Sequence, residues 1–158
     1  MCATAKPGGV SNGICTLRAA SMEANHWLGG GATIRFASAL NGVPVALTIP
    51  SDLGDGEATG DLNIDQTMQV LGNGVGQNII DGLSANDRVF HIATGAVVKL
   101  SGLTIQRGST GLPSTPIGGG LVVEFGGALA LDRSALISNT SAVISNTGGA
   151  LLGGDREA

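Results

Sequence analysis

Short apolar clusters, rather than long amphipathic stretches, organise this chain. Between Thr59 and Gln106 they recur as Leu62/Ile64, Val70/Leu71, Ile79/Ile80, Val89/Phe90/Ile92, Val97/Val98/Leu100 and Leu103/Ile105, with Gly, Asn or Asp between one and the next. None is long enough for a helix with one apolar stripe. Each reads as a strand of about two to five residues set between tight corners. Thr33–Phe36 and Val45–Ile49 read as earlier strands of the same kind. Many very short strands without hairpin alternation predict an all-β solenoid, in which each turn of chain buries its apolar face only against its neighbours.

One segment breaks the pattern. In Thr16–His26, TLRAASMEANH, Leu17, Ala20 and Ala24 share one face at helical spacing and Thr16 is a good N-cap. Asn25 and Gly29–Gly31 end the helix, and His26 reads as a residue interacting with its C-terminal dipole. Trp27 and Leu28 follow, and are expected to plug the first open coil as a capping element. The chain therefore divides into a loop and capping helix over residues 1–32 and solenoid coils over 33–158. Near the end, Gly126-Gly127-Ala128-Leu129 returns as Gly148-Gly149-Ala150-Leu151, 22 residues later, a spacing suited to one coil. Leu136–Asn139 and Val143–Asn146 both end in Ser-Asn; Asn139 and Asn146 are expected at corners, through left-handed backbone or amide bonds to the turn. No cap follows the last coil, so the chain reads as a fragment, truncated at its C-terminus.

Composition sharpens this picture. Of 158 residues 27 are Gly, and three Phe, one Trp and no Tyr leave the core to Ile, Leu, Val and Ala. That suits a narrow interior of stacked aliphatic ladders. A net charge of −4 with only Lys6 and Lys99 as lysines argues against nucleic acid as a partner. No apolar run approaches a membrane span. Cys2 and Cys15 lie in a loop rich in Gly, Pro, Ser and Asn; paired, they would close a small loop, and otherwise they are two free thiols. A disulfide implies an oxidising compartment. MCATAKPGGV has no apolar export segment, so the expectation is that Met1 is not the natural start.

Cys15-Thr16-Leu17-Arg18-Ala19-Ala20, with Glu23-Ala24-Asn25 after it, resembles the Cys-Ser-Leu-Arg-Glu-Ala…Ala-Asn signature of the CSLREA-type N-terminal domain of exported bacterial proteins. Gly60–Ile64, Ile80-Asp81-Gly82, Asp87–His91 and Leu100–Ile105 are similar to that family's next coils, in the same order. The Gly-Gly-Ala-Leu and Ser-Asn segments are similar to repeats of polymorphic outer-membrane proteins. The resemblance covers about residues 2–152. It implies a right-handed parallel β-helix of the pectin-lyase-like type on an exported protein, and adds Arg18 to a capping set of Thr16, Leu17 and Trp27. Ala19 departs from the signature Glu, which removes half of a capping box.

Chemistry is harder to find. The acidic loop offers Asp52, Asp55, Glu57 and Asp61, with Asp65 beyond; such oxygens could hold Ca²⁺, but they match no established ligand pattern and read first as solvated turn carboxylates. Asp87-Arg88 with His91 is the densest polar cluster, yet alternation puts Arg88 and His91 on opposite faces of a strand. The histidines and cysteines form no zinc pattern. There is no Asp-Asp pair or Gly-His-Gly of the kind found in pectin-degrading hydrolases. The expectation is a non-catalytic scaffold with no required cofactor, facing further coils and cell-surface or glycan ligands; the alternative is a polysaccharide-active β-helix whose reacting coils lie outside this chain.

Overall fold

A computed structural model of the chain describes residues 15–27, 31–52, 57–109, 118–140, 143–145 and 150–153. Cys2, Leu28, Asp55 and Asn146 lie outside the described residues. Among the described residues one α-helix, α1 (Leu17–Asn25), precedes thirteen short strands, and a single 3-10 turn spans Ser38–Leu40. These are β1 (Ala32–Arg35), β2 (Val45–Ala46), β3 (Leu62–Ile64), β4 (Met68–Leu71), β5 (Asn78–Asp81), β6 (Phe90–Ile92) and β7 (Val97–Ser101). The rest are β8 (Leu103–Gln106), β9 (Leu121–Val123), β10 (Ala128–Asp132), β11 (Ala135–Ile137), β12 (Val143–Ser145) and β13 (Ala150–Gly153).

All pairing is parallel. The strands form three sheets, in the orders β1-β4-β7-β10-β13, β2-β5-β8-β11 and β3-β6-β9-β12. Each strand pairs with those three before and three after it, so the chain visits the sheets in rotation. Register then stacks like on like. Ile34, Val70, Leu100 and Leu131 form one aliphatic ladder of the first sheet. Val45, Ile80, Ile105 and Leu136 form one in the second. In the third, Ile64, Ile92 and Val123 stack beside Leu62, Phe90 and Leu121. Residues from all three sheets meet in one core, and each fully buried side chain contributes about 1.5–3 kcal/mol. A slip of one residue would turn every inward chain outward, which fixes the register.

The Gly-Gly-Ala-Leu repeat is one circuit: Ala128 pairs with Ala150 and Leu129 with Leu151. The two Ser-Asn segments are not a second such repeat, because β11 and β12 belong to different sheets. Asn139 stands at a corner, where its Oδ1 accepts from Gly108 N at 2.9 Å and its Nδ2 donates to Ile105 O at 3.0 Å. Ser138, one residue earlier, carries the positive φ of 53°. The amide bonding, not left-handed backbone, is what Asn139 supplies.

Two strands depart from the sequence pattern. Val45–Ile49 shortens to β2, since after Leu47 the chain turns away and Ile49 is exposed. Leu121–Val123 was too short and too close to a glycine run to stand out, yet it is a buried rung between β6 and β12. At the corner between first and second sheets, Gly102 adopts φ 65° and a Cβ on Gly72 would clash with the Gly102 carbonyl, so the circuits touch through glycine backbone.

Helix α1 begins as its sequence predicts: Thr16 Oγ1 accepts from Ala19 N at 3.1 Å. It packs on β3 and β1, and Leu17 and Ala24 join the core. Among the described residues no helix is long and apolar enough to cross a membrane.

Candidate functional site

A dense polar construction lies where α1 meets β3. Among the described residues, the outer edge of β3 has no strand beside it. Arg18, buried beneath α1, fills part of that gap. Its Nη1 donates to the carbonyls of Glu57 (2.9 Å), Thr59 (3.3 Å) and Asp61 (2.7 Å), and its Nη2 to that of Gly60. Burial pulls the guanidinium pKa below its ordinary value, while the charges of Asp61 and Asp87 oppose that pull. Gly60 is required here: it sits at φ 62°, and a Cβ would strike the Asp87 carboxylate.

Asn25, at the other end of α1, completes the edge. Its Nδ2 donates to Asn63 O (2.9 Å) and its Oδ1 accepts from Asp65 N (3.0 Å). A neighbouring parallel strand would engage these same two backbone groups, one on either side of Ile64. The side-chain amide thus stands in for a peptide of a missing strand. Nδ2 also donates to Glu57 Oε1 at 2.8 Å, which holds the preceding loop in place.

Beyond this edge a second network crosses the outer face of the third sheet. His91 Nδ1 lies 2.8 Å from Asn63 Oδ1, and Nε2 lies 3.0 Å from Glu124 Oε1. Glu124 Oε2 accepts from Thr94 N (3.0 Å) and Thr94 Oγ1 (2.9 Å). The Thr94 hydroxyl first, with its backbone N–H and His91, holds Glu124 below the usual carboxylate range against the effect of burial. Asp65 goes the other way. Burial raises it, a hydrogen bond with the Glu57 carboxyl and that group's charge raise it further, and Glu124 adds to this while His91 opposes.

The sequence-derived candidates separate in space. Asp52 Oδ1 accepts from Thr59 Oγ1 at 3.0 Å, Glu57 faces Asn25, and Asp61 lies 2.7 Å from Arg88 Nε. Asp61 is only 2% exposed, so it is not a solvated turn carboxylate. Its burial follows from the two arginines, Arg18 and Arg88, that surround it. Among the described residues no group of three or more His, Cys, Asp or Glu is arranged to hold a metal ion. Arg88 turns to Asp61 and Asp87 while His91 turns to Asn63 and Glu124, so the Asp87–His91 segment is two sites and not one.

Trp27, expected in the plug, is 52% exposed; the residues that meet the first circuit are Leu17, Arg18, Ala24 and Asn25. Cys15 is disulfide-bonded, and Cys2 lies outside the described residues. His26 Nδ1 is 2.8 Å from the Met22 carbonyl, at the helix end as expected. The sequence missed Arg107, which forks onto Asp81 while Gln106 Nε2 (3.1 Å) and Leu83 N (3.1 Å) also donate to that carboxylate. Burial alone would raise Asp81, but these donors hold it below its ordinary value. The positive φ of Arg107, 55°, is the corner geometry that aims it, and no spacing rule announces that.

An apolar cleft of about 1140 Å³ opens beside the cap, between α1, β1 and β2, with Leu17, Trp27, Ile34, Phe36 and Leu40 in its walls. No protein-family model matches the chain, and no curated protein or solved structure matches it. Function must therefore be argued from the arrangement itself. Its polar side chains are engaged mainly with backbone and with one another.

Proposed function

We propose that the three sheets are the faces of a right-handed parallel β-helix, and that the chain is the N-terminal, non-catalytic segment of an exported bacterial scaffold of the CSLREA type. The observation that carries this reading is the closure of the β3 edge by Arg18 and Asn25. An open strand edge invites pairing with other chains, and a purpose-built closure is what the first coil of an extended solenoid needs. The scaffold acts outside the cell, with further coils as its continuation and cell-surface or glycan ligands on its faces. A Cys2–Cys15 bond fits an oxidising compartment; a mass gain of two hydrogens on reduction tests it.

The alternative, a polysaccharide-active β-helix, has one observation on its side: Asp65 and Glu124, on one corner of the third sheet, favour opposite protonation states. Such pairs serve acid–base chemistry. Both Glu124 oxygens, however, are already engaged by His91 and Thr94. Sequencing the DNA that flanks this reading frame separates the two. An export signal upstream, with more Gly-Gly-Ala-Leu circuits and an anchor downstream, supports the scaffold. A compact downstream segment with clustered Asp and Arg or Lys overturns it in favour of the enzyme.

A further inference from the structure

The winding of the chain puts α1 in a strand's place. Strands visit the first, second and third sheets in turn, and α1 lies against the edge of β3 just before β1 opens the next circuit. The helix therefore fills the third-sheet place of the circuit before. Whatever precedes it in the chain comes up in the second-sheet place of that circuit, which is the outer edge of β2. Among the described residues β1 and β2 end their sheets with no strand beyond them. This edge borders the apolar cleft of about 1140 Å³, whose walls include Cys15, Leu17, Leu40, Val45 and Ile49. An unpaired edge beside apolar surface is a place for another extended segment to add.

We propose that the occupant of this cleft is residues 1–14 of the same chain, laid along β2 as a strap that completes the cap. Its connection, its composition and its tether select it over a second copy or a foreign peptide. The residue that joins it to α1, Cys15, is itself in the cleft wall. A step as short as residues 82–89 carries the chain from second to third sheet between β5 and β6, so residues 1–14 can make that step and still run beside β2. The segment, MCATAKPGGVSNGI, has one charged side chain, Lys6, while Val10 and Ile14 are β-branched. Little charge is desolvated when it is covered, and its aliphatic residues suit a strand. Cys15 is disulfide-bonded. The tether rests on the Cys2–Cys15 bond proposed above, which holds both ends of the segment beside the cleft. Docking is then intramolecular, at an effective concentration on the order of mM that a free partner would have to exceed. In this arrangement α1 closes the third sheet and the strap closes the second.

Photo-cross-linking on the full chain tests this. Leu40→benzoylphenylalanine and, separately, Ile49→benzoylphenylalanine place a photoreactive group at exposed positions of the cleft wall. After irradiation, peptide mass spectrometry is expected to find each probe joined to residues 1–14 of the same chain. The product should have monomer mass and a yield independent of protein concentration. Val10→Asp should lose most of that yield, because a covered valine becomes a covered charge without a partner; Val10→Ile should keep it. Two probe positions keep the test usable if one variant folds poorly. The mass of the same sample before and after reduction reports the tether separately. A chain that lacks the Cys2–Cys15 bond and still gives the cross-link supports the strap and refutes only its tether. Products that join two copies would overturn the strap in favour of dimerisation through this cleft. Probes that label only residues outside 1–14, or no protein at all, would overturn it as well.

Discussion

The same end of the molecule treats its exposed sheet edges in two ways. At β3 the backbone groups are met by Arg18 and Asn25, buried side chains whose donors and acceptors match the edge position by position. At β1 and β2, earlier in the same circuit, the edge borders an apolar cleft, and Leu40 and Ile49 are exposed there. The first edge is closed by polar geometry. Among the described residues, the second is lined by apolar surface without such partners. Closing an edge therefore takes more than a helix nearby, because a helix has no spare backbone groups in its middle. It takes side chains that can imitate a peptide.

Substitutions can break this contrast, and the largest effect should come from Arg18. Arg18→Met leaves four carbonyls without their buried donor and Asp61 with one arginine fewer, so a loss of about 3–5 kcal/mol is expected, read as a drop in the urea midpoint. Asn25→Ala removes one donor and one acceptor from the β3 edge and should cost about 2 kcal/mol; hydrogen exchange at Asp65 N, faster than in the parent, would locate the damage. Thr16→Ala loses one N-cap bond and should cost about 1 kcal/mol by the same urea titration. On the other side of the comparison, Leu40→Ala in the cleft wall should change stability by less than about 1 kcal/mol. A Leu40→Ala loss as large as that of Asn25→Ala would mean the two edges are not treated differently after all.

Much of the strand framework was legible because apolar pairs between Gly and Asn have few other uses, and the two Gly-Gly-Ala-Leu blocks mark one circuit to the residue. The cap was legible in part. Thr16 and the Leu17/Ala24 face follow from local spacing, but the partners of Arg18 are backbone carbonyls about forty residues away, which no side-chain pattern records. Trp27 misled for a related reason: a large apolar residue after a helix suggests a plug, whereas the polar Asn25 reaches the edge and Trp27 stays outside. The Asn63–His91–Glu124 network was invisible because its members come from three successive circuits separated by 28 and 33 residues, so unequal circuit lengths hide the column. Asp65 reads only as one more acidic-loop residue, since the bond that places it runs from its N–H to Asn25 Oδ1, forty residues earlier in the chain.

Arg18 and Asn25 read almost nothing but main chain. Apart from Glu57, every group they grip on the β3 side is a carbonyl or an N–H that any residue would present. A lock that reads mainly main chain is transferable: residues 15–27 should close any parallel edge that offers the same backbone path, a glycine at the place of Gly60 and an apolar bed for Leu17 and Ala24. The cap is thus a modular part, free to stay constant while the sequence of the coils behind it drifts.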